Sequence, residues 1–431
     1  MRMFRILGIW PPSVPTYFNA GHHLPLWEVA GYLRREVHRA EVDIVDAGVL
    51  NYTWKEIADL LLNSYDLICI INEYDNVEGV RRLTDYARAV SPQSKLITYG
   101  RVSGVIPEFF CDYGLDAVVV DGDFEIAVLD YVALIRGKLS LSQARGLLVK
   151  NENGWERTAA GQFLEASEWA YPPVSEMPLD SYARLSARPE NRFSAIPGKR
   201  ELTVSIARGC PIGCDYCLVP MYQGLRERRR KVSSVIDHIE QIKAEVKIDY
   251  VSMYAPTFSL NRNWVLEFCE RIKPVKVLWK CCTTIHHLDE ELVAKMGDSG
   301  CIRISVGLET LDTEAQLLLP KAKRIGDPQL EKLCQWCKKA GIELNCFVMV
   351  GMPNQTKEGV RHTFEYLQEI GVSIRPTAYT PYQQLGSKIT EADLSSFFTR
   401  QITKQILLSG ITPAEFYSLE FNAKVIPQSI Q

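Results

Sequence analysis

The chain has 431 residues and a formal net charge of −3. That length implies two or three domains, and the charge balance excludes a basic chain built to coat nucleic acid. No apolar run reaches the roughly 20 residues of a membrane span, and the opening MRMFRILGIWPPS, broken by Arg5 and stopped by Pro11 and Pro12, reads as a first strand rather than a signal peptide.

Arg5–Ile9 reads as a strand, Pro25–Glu36 as a helix, Val42–Asp46 as a strand, Trp54–Asn63 as a helix and Leu67–Ile71 as a buried strand. Val77–Val90 is helical, Lys95–Tyr99 and Ala117–Val120 are strands, and Glu125–Arg136 is a helix. This alternation predicts an α/β, doubly wound parallel sheet over residues 1–140. Ligands of such sheets bind beyond the carboxyl ends of the strands. Those ends carry Trp10-Pro11-Pro12, Asn72-Glu73-Tyr74, Gly100-Arg101 and Asp121-Gly122-Asp123.

Residues 141–195 differ. A turn at Asn151–Gly154 sits between hairpin-like flanks, and Pro172, Pro173, Pro178 and Pro189 mark an extended linker. From 196 to 395 the alternation resumes. Six strands are expected, at Leu202–Ile206, Tyr250–Tyr254, Val277–Cys282, Arg303–Val306, Leu344–Val350 and Ser373–Ala378. Helical stretches separate them, among them Val232–Val246, Trp264–Ile272, Leu288–Met296, Leu330–Ala340 and Lys357–Ile370. Six β-then-α units suggest a partial (β/α)6 barrel with its chemistry at the carboxyl ends of the strands. Residues 396–431 are expected to form a helical extension.

Twelve cysteines in so long a chain do not describe a secreted disulfide scaffold. They point to a reducing cytoplasm, with buried thiols and one metal or cluster site. The informative segment is Ile206-Ala-Arg-Gly-Cys210-Pro-Ile-Gly-Cys214-Asp-Tyr-Cys217, a loop at the end of the first barrel strand. Zinc takes four ligands, and no fourth Cys or His lies close in sequence. A [4Fe–4S] cluster also normally takes four, so Cys210, Cys214 and Cys217 as metal ligands leave one iron open to an exogenous ligand. Gly209 and Gly213 allow the tight path a cluster loop requires.

This spacing, with Tyr216 before the third cysteine, resembles the signature of the radical S-adenosylmethionine (SAM) superfamily. The resemblance implies a [4Fe–4S] cluster whose open iron chelates SAM and whose reduction cleaves it to a 5′-deoxyadenosyl radical. Arg303-Ile-Ser-Val-Gly-Leu-Glu309-Thr is similar to the fourth-strand segment that contacts SAM, Phe347-Val-Met-Val-Gly351-Met-Pro353 to the fifth-strand segment that packs on adenine, and Pro376-Thr-Ala-Tyr-Thr-Pro381 to the sixth strand. The implied SAM contacts are Tyr216, Ser305, Glu309 and Val350. Tyr254-Ala-Pro-Thr257-Phe departs from the small or acidic residues often found after the second strand.

A doubly wound domain ahead of such a barrel resembles the cobalamin-binding subgroup. Gly100-Arg-Val-Ser-Gly-Val-Ile-Pro107-Glu108 and Asp121-Gly-Asp-Phe-Glu125 follow that subgroup's order, and Tyr171-Pro-Pro-Val-Ser-Glu-Met-Pro178 resembles its linker. The resemblance implies cobalamin contacts at Asn72, Tyr74, Gly100, Ser103, Gly122 and Glu125. No D-x-H-x-x-G stretch offers a histidine ligand to cobalt, and the bulky Asn72-Glu73-Tyr74 departs from the small residues often found there.

The remaining candidates have bland readings beside sharp ones. Cys334-x-x-Cys337 lies on one face of a helical pattern and reads as core. Cys281 and Cys282, adjacent on a strand, face opposite ways, so one faces the lumen. His286-His287 lie at the same mouth, and His22-His23 near the end of the first strand. Arg226-Glu-Arg-Arg-Arg-Lys231 reads as a solvated surface run, or else as a holder of the cluster loop or an anionic substrate. The first domain has only Cys69 and Cys111, too few for the second cluster of transfer-RNA methylthiotransferases, and no nucleic-acid partner is expected.

The leading expectation is a cobalamin-dependent radical SAM methyltransferase acting on a small biosynthetic intermediate, with an electron donor such as flavodoxin or ferredoxin. The alternative is a radical SAM enzyme without cobalamin that cyclises, rearranges or transfers a 3-amino-3-carboxypropyl group. A non-catalytic iron–sulfur or zinc protein is the third reading.

Overall fold

A computed structural model describes residues 2–13, 23–74, 76–187, 195–380, 382, 385–386, 389–395 and 412. The expected extension at 396–431, Pro189 of the linker and His22 lie outside the described residues, apart from Thr412. Two compact units emerge. The first comprises Met1–Gly198, Leu218–Gly224 and Gln383–Ser396, and the second comprises Lys199–Cys217, Leu225–Tyr382 and Phe397–Gln431.

The first unit is built on a seven-stranded sheet in the order β2-β1-β3-β4-β5-β6-β7. Its strands are β1 (Phe4–Trp10), β2 (Ala40–Asp46), β3 (Leu67–Asn72), β4 (Lys95–Gly100), β5 (Ala117–Val119), β6 (Leu147–Asn151) and β7 (Gly154–Arg157). β1 to β5 are parallel, and the hairpin β6–β7 adds antiparallel at the edge. The hairpin expected in the linker region therefore extends the first sheet. All six residues of β3 are buried, as a central strand between helical layers requires. The helices are α1 (Leu24–Glu36), α2 (Trp54–Leu61), α3 (Val77–Val90), α4 (Phe124–Ile135) and α5 (Leu179–Ser186). Thr53 and Glu56 form a reciprocal capping box that starts α2.

The second unit holds a six-stranded, all-parallel sheet. Chain order runs β8 (Glu201–Ser205), the short β9 (Ala207–Arg208) and β10 (Arg228–Arg229), then β11 (Tyr250–Tyr254), β12 (Leu278–Thr283), β13 (Cys301–Glu309), β14 (Glu343–Val350) and β15 (Ser373–Ala378). The sheet order β15-β14-β13-β12-β11-β8 is sequential and open, with helices between the strands. This is the expected partial barrel, unclosed between β8 and β15 among the described residues. One face is a packed core in which Phe258, Trp264, Phe268 and Trp279 stack at ring-centroid distances of 5.2–5.8 Å. Each such burial stabilises by about 1.5–3 kcal/mol. Helix starts at the carboxyl ends are fixed by side-chain caps: Asn261, Asp289 and Thr356 accept from Trp264 N, Leu292 N and Gly359 N.

Candidate functional site

The cysteine loop leaves the end of β8 and is pinched at its base. β9 and β10 pair antiparallel there, joining Ala207 to Arg229 and Arg208 to Arg228. The backbone turns with positive φ at Gly209 (83°) and Gly213 (66°), the left-handed region that glycine enters without strain. Cys217 N donates to Cys214 O at 3.0 Å, closing the last turn. Cys214 is buried, and Cys210 and Cys217 are half-buried. Burial pushes the Cys214 thiol up, while Lys323 opposes the shift. Among the described residues no three His, Cys, Asp or Glu side chains converge into a ready-made ion cage. The donor set nonetheless fits a cluster with one open iron: three thiols lie on one glycine-hinged loop, with no fourth nearby in sequence.

The middle of the basic run is not a solvated surface, which corrects the bland reading there, while Arg226 and Lys231 at its ends are exposed. Arg228 and Arg230 are buried. Arg229 donates to Phe258 O and Thr257 O, both at 3.0 Å, pairs with Glu227, and lies over the Trp264 ring at 5.0 Å. Arg230 Nε donates to Ser205 O at 3.0 Å. The run ties the base of the cysteine loop to the ends of β8 and β11.

A buried polar cluster lies against the loop. Tyr216 OH donates to Glu309 Oε1 at 3.2 Å, and Lys323 Nζ donates to the same oxygen at 2.5 Å. Lys323 also sits 5.5 Å from the centroid of the Tyr216 ring. Burial works against the Lys323 ammonium, but Glu309 and then the Cys214 and Cys217 sulfurs hold its pKa above the ordinary lysine value. Burial, and then Glu309, push the Tyr216 phenol up. Glu309 adopts φ 67°, and the β13–β14 register shifts between Gly307 and Glu309. A left-handed non-glycine residue is strained by about 1 kcal/mol or more, and such strain gathers at functional sites. A Cβ on Gly307 would lie 2.6 Å from Glu309 Oε1 and 2.8 Å from Lys323 Nζ. The bulge and the missing side chain together make room for the ion pair.

Tyr216 also packs on a small apolar cluster of Ala315, Leu319, Met349 and Met352. Val350, the expected adenine contact, is fully buried in β14, and its neighbour Met349 belongs to the cluster that Tyr216 packs against. Gln355 braces this turn by accepting from Gly351 N and Met352 N and donating to Thr310 Oγ1 and Met349 O. Ser305 lies lower on β13, where its hydroxyl accepts from Asn345 Nδ2 at 3.1 Å. The structure therefore joins Tyr216 and Glu309 by a hydrogen bond, while the Ser305 hydroxyl is bonded to Asn345. Met349 and Met352 lie within the fifth-strand segment quoted for adenine, whereas Lys323 and Gln355 escaped the sequence reading. The only sequence signal of those two is proximity to the fourth and fifth strand segments.

In the first unit, β2 lies on one side of β1 and β3 on the other, so the topological switch falls between β1 and β3. Asn72, at the end of β3, donates from Nδ2 to Thr98 Oγ1 at 2.9 Å and accepts from Ser103 N at 3.0 Å. Ser103 Oγ donates to Gly100 O at 3.2 Å. A Cβ at Gly100 would fall 1.8 Å from Asn72 O, so glycine is obligatory there. Asn72, Gly100 and Ser103 thus come together. Glu73 and Tyr74 are buried, and Glu73 pairs with Arg101 at 2.5 Å. Gly122 is approached by the chain's own backbone at Gln162, 2.7 Å from a hypothetical Cβ, and Glu125 is buried on α4.

His23 is buried. Its Nδ1 meets Asp46 Oδ2 at 2.6 Å, and its ring stacks on Trp10 at 3.5 Å. Tyr182 OH donates to the same Asp46 oxygen at 2.6 Å. His286 Nε2 meets Arg324 O at 2.9 Å and is exposed, while His287 is half-buried. Cys334 and Cys337 are buried in the helix Asp327–Lys339. Cys281 is buried and Cys282 exposed, as opposite faces of β12 require.

Comparison with known proteins agrees with this arrangement. Residues 204–367 match the profile of the radical SAM superfamily. An uncharacterised methyltransferase, PH0819 of Pyrococcus horikoshii, is 25% identical over 394 residues, covering 89% of this chain and 82% of that protein. The anaerobic magnesium-protoporphyrin IX monomethyl ester cyclase of Rubrivivax gelatinosus is 24% identical over 416 residues, covering 91% and 69%. In fold, the chain resembles the radical SAM methyltransferase TsrM of Kitasatospora setae, solved with cobalamin and a [4Fe-4S] cluster, at a TM-score of 0.69 and 17% identity over 88% of this chain and 74% of that one. The cysteine loop at the end of β8 and most of the open parallel sheet behind it thus fall within the segment, residues 204–367, that is similar to the radical SAM superfamily.

Proposed function

We propose that the chain is a cobalamin-dependent radical SAM methyltransferase that modifies a carbon of a small molecule. The observation that carries this reading is the cysteine loop, latched at the end of the first barrel strand and backed by Glu309 and Lys323. Cys210, Cys214 and Cys217 would hold the cluster. Cobalamin would lie at the carboxyl ends of the first sheet, beside Asn72, Gly100 and Ser103. When bound, the cluster supplies the electron that splits SAM, and cobalamin carries the methyl group. The protein's own part is binding and exclusion of water. Tyr216 and Glu309 set one wall of the SAM site, Met349 and Met352 offer an apolar surface to adenine, and Lys323 balances the thiolates' charge. Flavodoxin or ferredoxin is the expected electron donor, and oxygen-sensitive chemistry suits a reducing cytoplasm. No described helix is long and apolar enough to cross a membrane.

A second reading omits cobalamin. It is favoured by the buried side chains of Glu73 and Tyr74 just beyond β3, which fill space beside the switch point. Anaerobic reconstitution with iron, sulfide and hydroxocobalamin separates the two. About four irons per chain with one cobalt retained after desalting, followed by a methylated product, supports the methyltransferase. Iron without cobalt sinks it and leaves the cobalamin-free enzyme.

A further inference from the structure

One face of the second sheet departs from what a parallel sheet needs for its own stability. Parallel strands covered on both faces read as near-continuous apolar runs, as β3 does. The strands of the second unit instead alternate, and the register aligns their polar positions. Ser205 lies opposite Tyr254, Cys282 opposite Ser305, Ser305 opposite Asn345, and Asn345 opposite Ser373. Met253 faces Cys281, so Tyr254 and Cys282 come next along the same pair. One row across all six strands is thus serine, tyrosine, cysteine, serine, asparagine, serine.

The row has the properties of a binding surface. Ser305 accepts from Asn345 and shares a hydrogen bond with the Cys282 thiol. The buried Ser205 hydroxyl has no partner. Cys282 alone among the twelve cysteines is exposed, and Tyr254 is exposed beside it. The Cys282 thiol is nevertheless pushed up by surrounding protein, with Lys280 and Arg375 pulling the other way. The residue is therefore reachable while its thiol is largely desolvated by the surrounding protein. Charges bracket the row. Beneath it Lys280 pairs with Glu201 at 2.6 Å and Arg303 with Glu343 at 2.7 Å, and above it Arg375 lies over the Phe347 ring at 5.2 Å.

We propose that this row is the floor of the substrate site, and that the substrate is a small hydrogen-bonding organic anion whose charged group lies near Cys282 between Lys280 and Arg375. The proposal rests on the radical SAM reading, which makes the lumen of the barrel the reaction chamber. An apolar occupant would leave the buried Ser205 hydroxyl without a partner and the spare hydrogen-bonding capacity of Ser305, Asn345 and Cys282 facing hydrocarbon, and a site built of such groups rejects it. Lys280 and Arg303 are each matched by a carboxylate and Arg375 adds a third cation above the row, and such an excess of cations raises the local concentration of anions.

The test uses charged thiol reagents on the reconstituted, anaerobic full-length protein. Modification of Cys282 by anionic methanethiosulfonate ethylsulfonate and by its cationic ethyltrimethylammonium counterpart is followed by peptide mass spectrometry. Each rate is normalised to free cysteine. The expected result is a preference of about tenfold for the anionic reagent, reduced at raised salt and reduced by Arg375→Gln. Equal rates, a cationic preference, or no reaction with either reagent overturns the proposal. The wild-type ratio and its salt dependence stand even if the variant fails to fold. Iron content and SAM cleavage are measured on the same samples. Loss of those with the anionic preference intact is a failure of the radical SAM reading, whereas a missing preference in an iron-loaded, SAM-cleaving protein is a failure of this inference.

Discussion

Glu309 and Lys323 are the residues on which the site depends most. Their side chains are 7% and 13% exposed, so removing one leaves a charge without a partner in poor solvent. Glu309→Gln should lower stability by about 3 kcal/mol, measured by urea unfolding. The double variant Glu309→Leu with Lys323→Met should recover most of that stability while SAM cleavage stays lost, which separates a role in the site from a role in folding. His238 gives a pH signature elsewhere in the same unit. Burial, and then the charge of Arg230, push its pKa down to about 3. The unfolded chain therefore binds a proton below about pH 6.5 that the folded chain refuses. Stability should fall as pH drops from there toward 3, at roughly 1 kcal/mol per pH unit. His238→Gln should flatten that slope in unfolding curves taken across the range.

At the scale of elements, the β13 bulge and the β9–β10 ribbon place the chemistry. Gly307→Ala puts a methyl group against the ends of two flexible side chains rather than against backbone. The fold should yield by about 1 kcal/mol while the ion pair shifts. SAM cleavage should drop at least about tenfold, because small misplacements near reacting atoms carry large rate costs. Arg229 holds two carbonyls and stacks on Trp264 through its planar fork. Lysine keeps the charge but not the fork. Arg229→Lys should loosen the loop, and iron retained per chain after reconstitution and desalting should fall below that of wild type. The succession of strands and helices and most element limits were legible beforehand, because hydrophobic period is a local property. The basic run was not, since its burial comes from Trp264 and the carbonyls of Thr257 and Phe258, which no spacing announces.

For the whole molecule, the two units interleave along the chain. Residues 383–396 group with the first unit, where Glu391 pairs with Arg81 and accepts from Tyr113 OH at 2.8 Å. Arg81 in turn lies over the Tyr113 ring at 3.9 Å. A chain truncated after residue 382 should therefore destabilise the first unit by about 1–3 kcal/mol, seen as a lower denaturation midpoint for that unit.

The amino-acid sequence by itself determined the alternation of strands and helices, the order of the two sheets, and the place of Cys210, Cys214 and Cys217 on a glycine-hinged loop after a strand. These follow from local periodicity, from spacing and from the rule that βα loops gather at one end of a parallel sheet. Tertiary structure alone decided the rest. It brought Lys323 to Glu309 across a backbone bulge, placed Met349 in the apolar cluster that Tyr216 packs against, and buried His23 against Asp46 and Trp10. It also bonded Ser305 to Asn345 in a polar row that crosses every strand of the second sheet. Ser305 and Met349 depend on register between strands distant in sequence, and a one-residue change of register would send their side chains to the other face, whereas Lys323 and His23 are brought in by a turn and a helix start that local period does not aim.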